Sequence, residues 1–366
     1  SSDRLFSFNN MEQKNIIFEK TDFEIDKDDL NFFSNFLKTE PNENKIIFKK
    51  SNIFFKNKED ETLFISKIYN SEFFYDFNKL ANTYSSKNEI FNVPFKLIIK
   101  NDKFNKKILS EFSSKKLRLN IENEIDYEDK ITKGLLDILF INKDTSLSFL
   151  KKENSISFES SGKKNFYNGI IDFKPFYLSS NFNYEGISFK NFFSEDSIVF
   201  DLLRSELLNN LNLNLSSVLN IKKIINFDEL NNLLLNVEIN QGSINLTNSS
   251  IAWKDDLNIT LRDGLIDYGK NSINLIGKIV IIVQDENDFY SSFQVKKNNR
   301  KDIKEIEFDF VYDLIKSKII FDNVKLNKKS SSKGDEFINK FNSKNMTLNK
   351  ILFKNFVNNF FDAYFG

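Results

Sequence analysis

The chain has 366 residues, 52 basic and 52 acidic, so its formal net charge is zero, and it contains no His and no Cys. The missing His and Cys exclude a Ser-His-Asp triad, a Cys-His dyad, disulfides and thiolate or imidazole metal sites. The apolar fraction of 40% suffices for a folded core, whereas the balanced charge provides no general basic field for nucleic acid.

The N-terminal half is dominated by strand-like alternation. Apolar spacing predicts short helices at Asn31–Leu37 and Tyr75–Ala81. Between and after them, every second residue is apolar in several segments, which is typical of half-buried strands. The clearest of these alternating segments runs from Leu117 to Tyr127, and a shorter one contains Ile156 and Phe158.

In the middle of the chain, the spacing of apolar residues changes from the strand period to the helix period. Ser194-Glu195-Asp196 could cap a helix that carries apolar residues on one side as far as Leu208, so a helix is predicted at about 195–210. Alternating strands then resume at the following pairs: Ile244/Leu246, Ile259/Leu261, Ile273/Leu275 and Phe293/Val295. Turns are predicted between them at Gln241-Gly242, Asp263-Gly264 and the acidic segment 285–288.

The C-terminal part begins with a strand in which Ile306, Phe308, Phe310 and Tyr312 alternate with charged residues. Two helices are then predicted, at 335–341 and 348–364. In the second helix, Leu352, Phe356, Phe360 and Tyr364 recur at four-residue spacing. This face either packs on the protein or contacts a membrane.

These patterns predict a mainly β fold. It is a long antiparallel twisted meander that forms an open groove or a sandwich, with a few helices at about 195–210 and at the C-terminus. We expect residues 1–190 to form the N-terminal part and residues 191–366 the C-terminal β region, which helices at 335–364 cap. A single continuous sheet through both parts is the alternative.

The sequence offers no strong catalytic or metal motif. The ten Gly never form a phosphate-binding loop. Asp285 to Asp288 could ligate calcium through oxygen atoms, but a solvated hairpin turn explains the segment better. The Lys-rich patches are balanced by nearby acids and carry almost no Arg, which speaks against nucleic-acid binding. We therefore expect no cofactor, no metal and no enzymatic activity.

A weak repeat and a family resemblance point to a function. Ser51–Lys56 resembles Ser249–Lys254, and each precedes an acidic turn. The run Gly242–Asp255 resembles strand pairs of the AsmA-like family. The same succession of short strands continues through Leu257–Leu261 to a strand of the form L-x-G-x-I at Leu275–Ile279.

The resemblance implies a repeating β-groove, or chorein-type, protein of the bacterial cell envelope. Such proteins are anchored in the inner membrane by an N-terminal helix, which would precede this sequence, and they project into the periplasm. They are associated with phospholipid movement toward the outer membrane. The resemblance thus implies phospholipid, a membrane and envelope proteins as partners, and it carries over no catalytic residue.

An apolar sheet face must be covered by a second sheet, by helices or by acyl chains. We expect the following residues to line such a lipid-conducting face: Ile244, Leu246, Ile259, Leu261, Ile273, Leu275, Phe293, Val295, Phe308 and Phe310. Leu352, Phe356 and Phe360 are expected to contact a membrane or to cap the groove. The alternative function is a structural or adhesive β-rich surface protein with a closed core, followed by a carbohydrate hydrolase that uses two carboxylates.

Overall fold

The computed structural model describes residues 15–26, 29, 45–56, 60–102, 104–126, 132–140, 143–152, 154–160, 165–173, 176–188, 198–205, 207–225, 227–254, 256–269, 272–343 and 350–365. The chain divides into two compact units. Unit 1 comprises residues 1–162 with 204–207, and unit 2 comprises residues 163–203 with 208–366. The predicted division at 190/191 stays a prediction.

Unit 1 is built from strands. They are β1 (Asn15–Glu19), β2 (Asp22–Ile25), β3 (Lys45–Lys56), β4 (Thr62–Asp76), β5 (Ala81–Ile90), β6 (Val93–Asp102), β7 (Lys107–Ser114), β8 (Leu119–Asp126), β9 (Thr132–Phe140), β10 (Lys143–Lys151) and β11 (Ser155–Ser160). From β3 to β11 each strand pairs antiparallel with the next one in the chain. The predicted meander is therefore confirmed in this unit.

The first two strands depart from the meander, because β1 and β2 both run parallel to β3. Lys20 and Lys50 lie opposite each other at the point where β1 gives way to β2, and both have a left-handed backbone (φ 54° and 48°). Ser51 holds this kink together: its Oγ accepts from the Thr21 N–H at 3.2 Å and donates to the Lys49 carbonyl at 3.0 Å. The sheet is thus mixed rather than purely antiparallel.

Unit 2 combines strands with helices. Its elements are β12 (Phe166–Phe173), β13 (Phe176–Ser188), α1 (Ile198–Arg204), β14 (Leu215–Ile225), β15 (Leu230–Asn240), β16 (Ser243–Asn245), β17 (Ser249–Trp253), β18 (Leu257–Gly269), β19 (Ser272–Val283), α2 (Glu286–Phe293), β20 (Glu305–Asp313), β21 (Lys318–Leu326), α3 (Ser332–Ser343) and α4 (Lys350–Phe365). Most neighbours pair antiparallel, but β13 and β14 are parallel. The predicted mainly β class with few helices is confirmed.

One predicted turn is a bulge instead. Asp263 and Gly264 lie inside the continuous strand β18, where the register with β19 shifts between Arg262 and Leu265. Asp263 takes a left-handed conformation (φ 51°) that absorbs the extra residue. By contrast, the predicted turn at Gln241-Gly242 is confirmed: both residues have positive φ (47° and 79°) and connect β15 to β16.

The acidic segment 285–288 is not a hairpin turn, because it starts helix α2. The Asp285 side chain accepts from the backbone N–H groups of Asn287 (2.8 Å) and Asp288 (3.1 Å), as an N-cap residue does. The strand predicted around Phe293 and Val295 was therefore wrong. Phe293 ends α2, and Gln294 in a left-handed conformation (φ 55°) turns the chain before Val295.

Of the other predicted helices, some are confirmed and one is wrong. The two C-terminal helices are confirmed as α3 and α4. Helix α1 ends at Arg204, before the predicted end at 210, and residues 195–197 lie outside the described residues. The helix predicted at Tyr75–Ala81 was wrong, because the segment is the turn between β4 and β5. Asp76 Oδ1 accepts from the Asn78 N–H at 3.0 Å, which favours a turn over a helix. Asn31–Leu37 lies outside the described residues.

Candidate functional site

Three rows of residues on one face of the meander in unit 1 carry no charge, although Lys151 at the end of β10 lies on the same face. Residues that are paired in register across neighbouring strands point to the same side of a sheet. Three such rows run across the strands, and together we call them the uncharged face. The first row is Phe48, Ser71, Ser86, Leu97, Phe112, Ile121, Ile138 and Thr145. The second is Ile46, Phe73, Tyr84, Ile99, Ser110, Asn123, Leu136, Leu147 and Ser160. The third is Tyr75, Asn82, Asn101, Ile108, Ile125, Gly134, Phe149 and Phe158.

The opposite face of the same strands is charged. Ion pairs link neighbouring strands there, as between Lys45 and Glu72 at 2.7 Å. The carboxylate of Glu89 accepts from the Tyr69 hydroxyl at 2.6 Å and from Lys67 Nζ at 2.9 Å. Chiefly the Tyr69 hydrogen bond, with help from Lys67, lowers the pKa of Glu89. The charged face is thus solvated, and the two faces differ sharply in polarity.

The uncharged face is only half-buried. Phe73 and Leu147 are buried, but Phe48, Leu97 and Phe112 keep part of their surface in contact with solvent. The clusters of buried apolar residues found in the described part of the chain all belong to unit 2. The helices α1 to α4 also begin there. The uncharged face of unit 1 therefore contributes to none of these clusters.

Small polar side chains interrupt this face. Ser71 and Ser86 are buried between larger apolar neighbours, as is Asn88, two residues beyond Ser86 in β5. The Asn88 amide donates to Ser86 Oγ at 3.3 Å, while Ser71 Oγ has no hydrogen-bond partner within the described residues. These groups offer hydrogen bonds without introducing a charge.

A cleft of about 610 Å³ lies at strands β8 to β11, and most of its lining residues belong to the opposite, charged face. Phe149 and Phe158 of the uncharged face line it together with the charged Glu124, Lys133 and Glu159.

In unit 2 the structure brings together most residues predicted from the sequence. Ile244 pairs with Ile266 and Leu261 with Ile279, and Ile279 pairs with Phe308. Eight of the predicted residues share one sheet face on this basis or pack with it: Ile244, Leu246, Ile259, Leu261, Ile273, Leu275, Phe308 and Phe310. Phe293 and Val295 also belong to this core, but they lie in and behind α2 and pack against the face from above.

Helices cover that face of unit 2. The Phe356 ring of α4 stacks on Phe321 of β21 with centroids 4.9 Å apart, and Phe360 is 4% exposed. Phe356 and Phe360 thus pack on the protein, the Leu352 side chain lies outside the described residues, and the predicted membrane or groove-cap contact stays a prediction. Because Phe360 packs inside the protein, it presents little surface to a membrane.

Polar contacts fasten α4 at its C-terminal end. Asp362 accepts from Lys296 Nζ and from the Asn299 side chain, and the Tyr364 hydroxyl donates to the Lys329 carbonyl at 2.6 Å. A hydrophobic segment of this length could have lain in many orientations. These contacts fix the one in which its Phe side chains face the sheet.

Sequence reasoning missed the uncharged face of unit 1. The signal was present, since Leu97, Ile99 and Asn101 alternate with Lys96, Ile98 and Lys100. It was weak because Ser and Asn occupy many positions of the face and so interrupt the apolar pattern.

No protein family, curated protein or solved structure matches this chain. The AsmA-like resemblance therefore stays a prediction. Within the described residues, His, Cys, Asp and Glu form no group of three that could hold a metal ion. None of the helices in that part of the chain combines the length and apolar character that crossing a bilayer requires.

Proposed function

We propose that this chain is a non-enzymatic lipid-binding protein that holds acyl chains against the uncharged face of unit 1. The observation that carries the proposal is the contrast between the two faces of β3 to β11. One is charged and solvated, whereas the three rows on the other hold no charged side chain, are rich in Phe, Ile and Leu, and are only half-buried.

The energetics favour a hydrocarbon ligand. Each CH₂ group removed from water stabilises a complex by about 0.8 kcal/mol, and such binding requires no polar specificity. Neighbouring strands lie about 4.8 Å apart, so nine strands offer a track on the order of 38 Å across. That track is long enough for an extended acyl chain.

The lipid class and the location follow from the family resemblance alone. On that basis we propose a phospholipid cargo, carried between the inner and outer membranes of a bacterial envelope, with the membrane anchor upstream of this sequence. The uncharged face supports only the acyl-chain part of this proposal, because it supplies no charge that would select a phosphate.

A structural or adhesive β-rich protein is the second candidate. The covered core of unit 2 favours it, because helices already fill the apolar face there. The two candidates differ in what unit 1 does: a lipid carrier needs its uncharged face accessible, whereas an adhesive protein uses its exposed loops.

The test compares one substitution at two consecutive positions of β6. Leu97 belongs to the uncharged face, and Ile98 points to the opposite side. Purified protein is mixed with vesicles containing a fluorescent phospholipid, and the lipid extracted per protein is measured. We expect Leu97→Lys to reduce extraction at least tenfold and Ile98→Lys to leave it near the wild-type value. If the wild type extracts no lipid, or if both variants extract it equally well, the proposal is wrong.

A further inference from the structure

Two neighbouring hairpin turns of unit 1 project large apolar side chains into solvent. The first turn connects β4 to β5 and contains Phe77 and Leu80, which are 64% and 59% exposed. The second connects β6 to β7 and contains Phe104, which is 87% exposed. Single exposed apolar residues are ordinary, but large ones gathered on adjacent turns mark a surface that contacts a partner.

The two turns lie at the same end of the sheet and at the same level. Ala81, the first residue of β5, pairs with Asp102, the last residue of β6, and Asp102 pairs with Lys107, the first residue of β7. The turns are therefore two strand spacings apart, or about 10 Å. We call them the apolar tips, and they comprise residues 77–80 and 104–106.

The turns at the opposite end of these strands have a different character. Phe91, in the turn between β5 and β6, and Leu117, in the turn between β7 and β8, are both half-buried. The Phe91 ring packs near Phe64 of β4, with centroids 6.1 Å apart. Among the described turns of unit 1, exposed large apolar side chains thus gather at one end of the sheet.

An Asp at the start of each turn binds the backbone of that turn. Asp76 Oδ1 accepts from the N–H groups of Asn78 at 3.0 Å and Lys79 at 3.3 Å. Asp102 Oδ1 accepts from the Asn105 N–H at 2.9 Å. Because these N–H groups are paired within their own turns, the apolar tips can enter a less polar medium without leaving them unpaired.

Each apolar tip also combines an apolar anchor with a nearby Lys. Phe77-Asn78-Lys79 and Phe104-Asn105-Lys106 have the same three residues in the same order. A Lys beside an apolar anchor can keep its ammonium group among lipid head groups while the anchor enters hydrocarbon. The exposed Asn and Lys residues separate the anchors, so the tips lack the continuous apolar centre of a protein interface.

The backbone of Leu80 gives a further reason to assign the tips a binding role. Leu80 has a left-handed conformation (φ 50°), which Gly and Asn adopt more readily than Leu. The side chain is exposed, so packing within unit 1 does not explain why an apolar residue occupies this position.

We propose that the apolar tips dock unit 1 onto a lipid bilayer, with Phe77, Leu80 and Phe104 inserted at the level of the head groups and the first acyl carbons. This surface goes beyond the proposed acyl-chain binding and does not rest on it. None of the three anchors belongs to the rows of the uncharged face, so docking and acyl-chain binding can fail separately.

Co-sedimentation with sucrose-loaded vesicles of phosphatidylcholine and phosphatidylglycerol measures docking of the full chain. Burying a side chain of this size in hydrocarbon strengthens binding by roughly tenfold or more. We expect Phe104→Ser and Leu80→Asn each to weaken vesicle binding about tenfold. Asn also suits the left-handed backbone at position 80, so Leu80→Asn should fold.

Leu135→Asn is the matched control for Leu80→Asn. Leu135 is also 59% exposed, but it lies within strand β9 on the charged face. It should bind vesicles as the wild type does. Circular dichroism checks the fold of each variant. A wild type that does not sediment with the vesicles, or an equal loss in Leu80→Asn and Leu135→Asn, would overturn the proposal.

Leu97→Lys distinguishes docking from acyl-chain binding. This variant alters the uncharged face, so it should lose phospholipid extraction and still sediment with the vesicles. Phe104→Ser should lose sedimentation and still bind a short-chain phospholipid that is dissolved as monomers. If Leu97→Lys abolishes sedimentation while Phe104→Ser leaves it unchanged, the bilayer contacts the uncharged face and the proposed docking surface is wrong.

A fluorescent label tests insertion while all three anchors remain in place. The chain contains no Cys, so one introduced Cys carries the label alone. We expect an environment-sensitive fluorophore on Asn78→Cys to shift its emission to the blue when vesicles are added. The same fluorophore on Lys115→Cys, an exposed position in the turn between β7 and β8, should not shift. No shift at position 78, or equal shifts at both positions, would overturn the proposal.

Discussion

The side-chain amide of Asn342 pairs with both backbone groups of Phe321. Asn342 Oδ1 accepts from the Phe321 N–H at 3.1 Å, and Asn342 Nδ2 donates to the Phe321 carbonyl at 2.7 Å. Asn342 lies in α3, so a helix side chain occupies the position that a further strand would take beside β21. Unpaired strand edges promote association between molecules, and this contact closes part of such an edge.

We expect Asn342→Ala to lower the free energy of unfolding by about 1–3 kcal/mol, because it leaves a backbone donor and acceptor unpaired. Urea denaturation followed by circular dichroism measures the change. Ser343→Ala is the control: its exposed hydroxyl only bonds the Lys340 carbonyl of the same helix. If both variants lose equal stability, the contact between Asn342 and the Phe321 backbone does not stabilise the fold more than an ordinary surface hydrogen bond.

The cap of α2 gives a second prediction. Asp285→Ala removes the acceptor for the backbone N–H groups of Asn287 and Asp288. The expected loss is about 0.5–2 kcal/mol in the same denaturation experiment. Asp285→Asn keeps an acceptor oxygen and should remain within a few tenths of a kcal/mol of the wild type. A large loss in Asp285→Asn would point to the charge rather than to the cap.

A third prediction concerns Gly134 of β9, which Phe149 of β10 covers. A Cβ at position 134 would lie 2.3 Å from Phe149 Cζ and 2.7 Å from the Glu124 carbonyl oxygen. Gly134→Ala should therefore destabilise the protein by about 1–3 kcal/mol through overpacking. In a Phe149→Leu background the penalty should shrink, because the aromatic ring is gone and only the carbonyl contact remains. A double-mutant cycle measures this coupling, and strict additivity would contradict it.

The fourth prediction is a pH dependence. The Tyr69 hydrogen bond lowers the pKa of Glu89 below the ordinary value of 4.5. The folded state therefore gains stability from Glu89 above pH 4.5, and this gain is lost as the pH falls through the lowered pKa. Tyr69→Phe should move the pKa of Glu89 toward 4.5 and weaken the acid dependence. Carboxyl ¹³C NMR titration measures the pKa, with Tyr75→Phe in the same strand as the control.

The sequence predicts those structural features that depend on residues close together in the chain, and it does not predict those that depend on distant residues. The alternation predicted from Leu117 to Tyr127 identifies strand β8, although Leu117 and Arg118 lie in the turn before it and Tyr127 lies outside the described residues. The four-residue spacing in α4 identifies its helix, because period alone determines which side chains share a face. The parallel pairing of β13 with β14 could not be read, since it joins residues about 37 positions apart. The mistaken strand at Phe293 and Val295 arose because both residues are buried, although a left-handed Gln294 lies between them.

The weak repeat acquires a physical meaning in the structure. Ser51 and Ser249 each begin one of its two copies, and both are buried. Ser249 Oγ accepts from the Asn236 N–H at 3.0 Å, just as Ser51 Oγ accepts from the Thr21 N–H. The partner strands differ, because β2 runs parallel to β3 whereas β15 runs antiparallel to β17. The similarity therefore extends to the role of the Ser hydroxyl and not to the strand arrangement.

For the candidate site, too, the sequence predicts the local features and not the long-range ones. Predicted residues such as Ile259 and Phe308 do share a face, because strand period sets the side to which they point. Whether protein or a ligand covers that face depends on where α4 lies in three dimensions. Contacts such as Lys296 with Asp362, 66 residues apart, decide that position, and no local pattern encodes them.

Because strands β3 to β11 each pair with the next strand in the chain, the width of this sheet in unit 1 depends on the number of its hairpins. Each strand takes its register from the strand before it and gives it to the strand after it, so the hairpins form a nearly one-dimensional series. Inserting or deleting one hairpin would change the width of the uncharged face by about 10 Å and leave the other registers intact. Duplication of short gene segments could therefore adjust this dimension in small steps without the invention of a new fold.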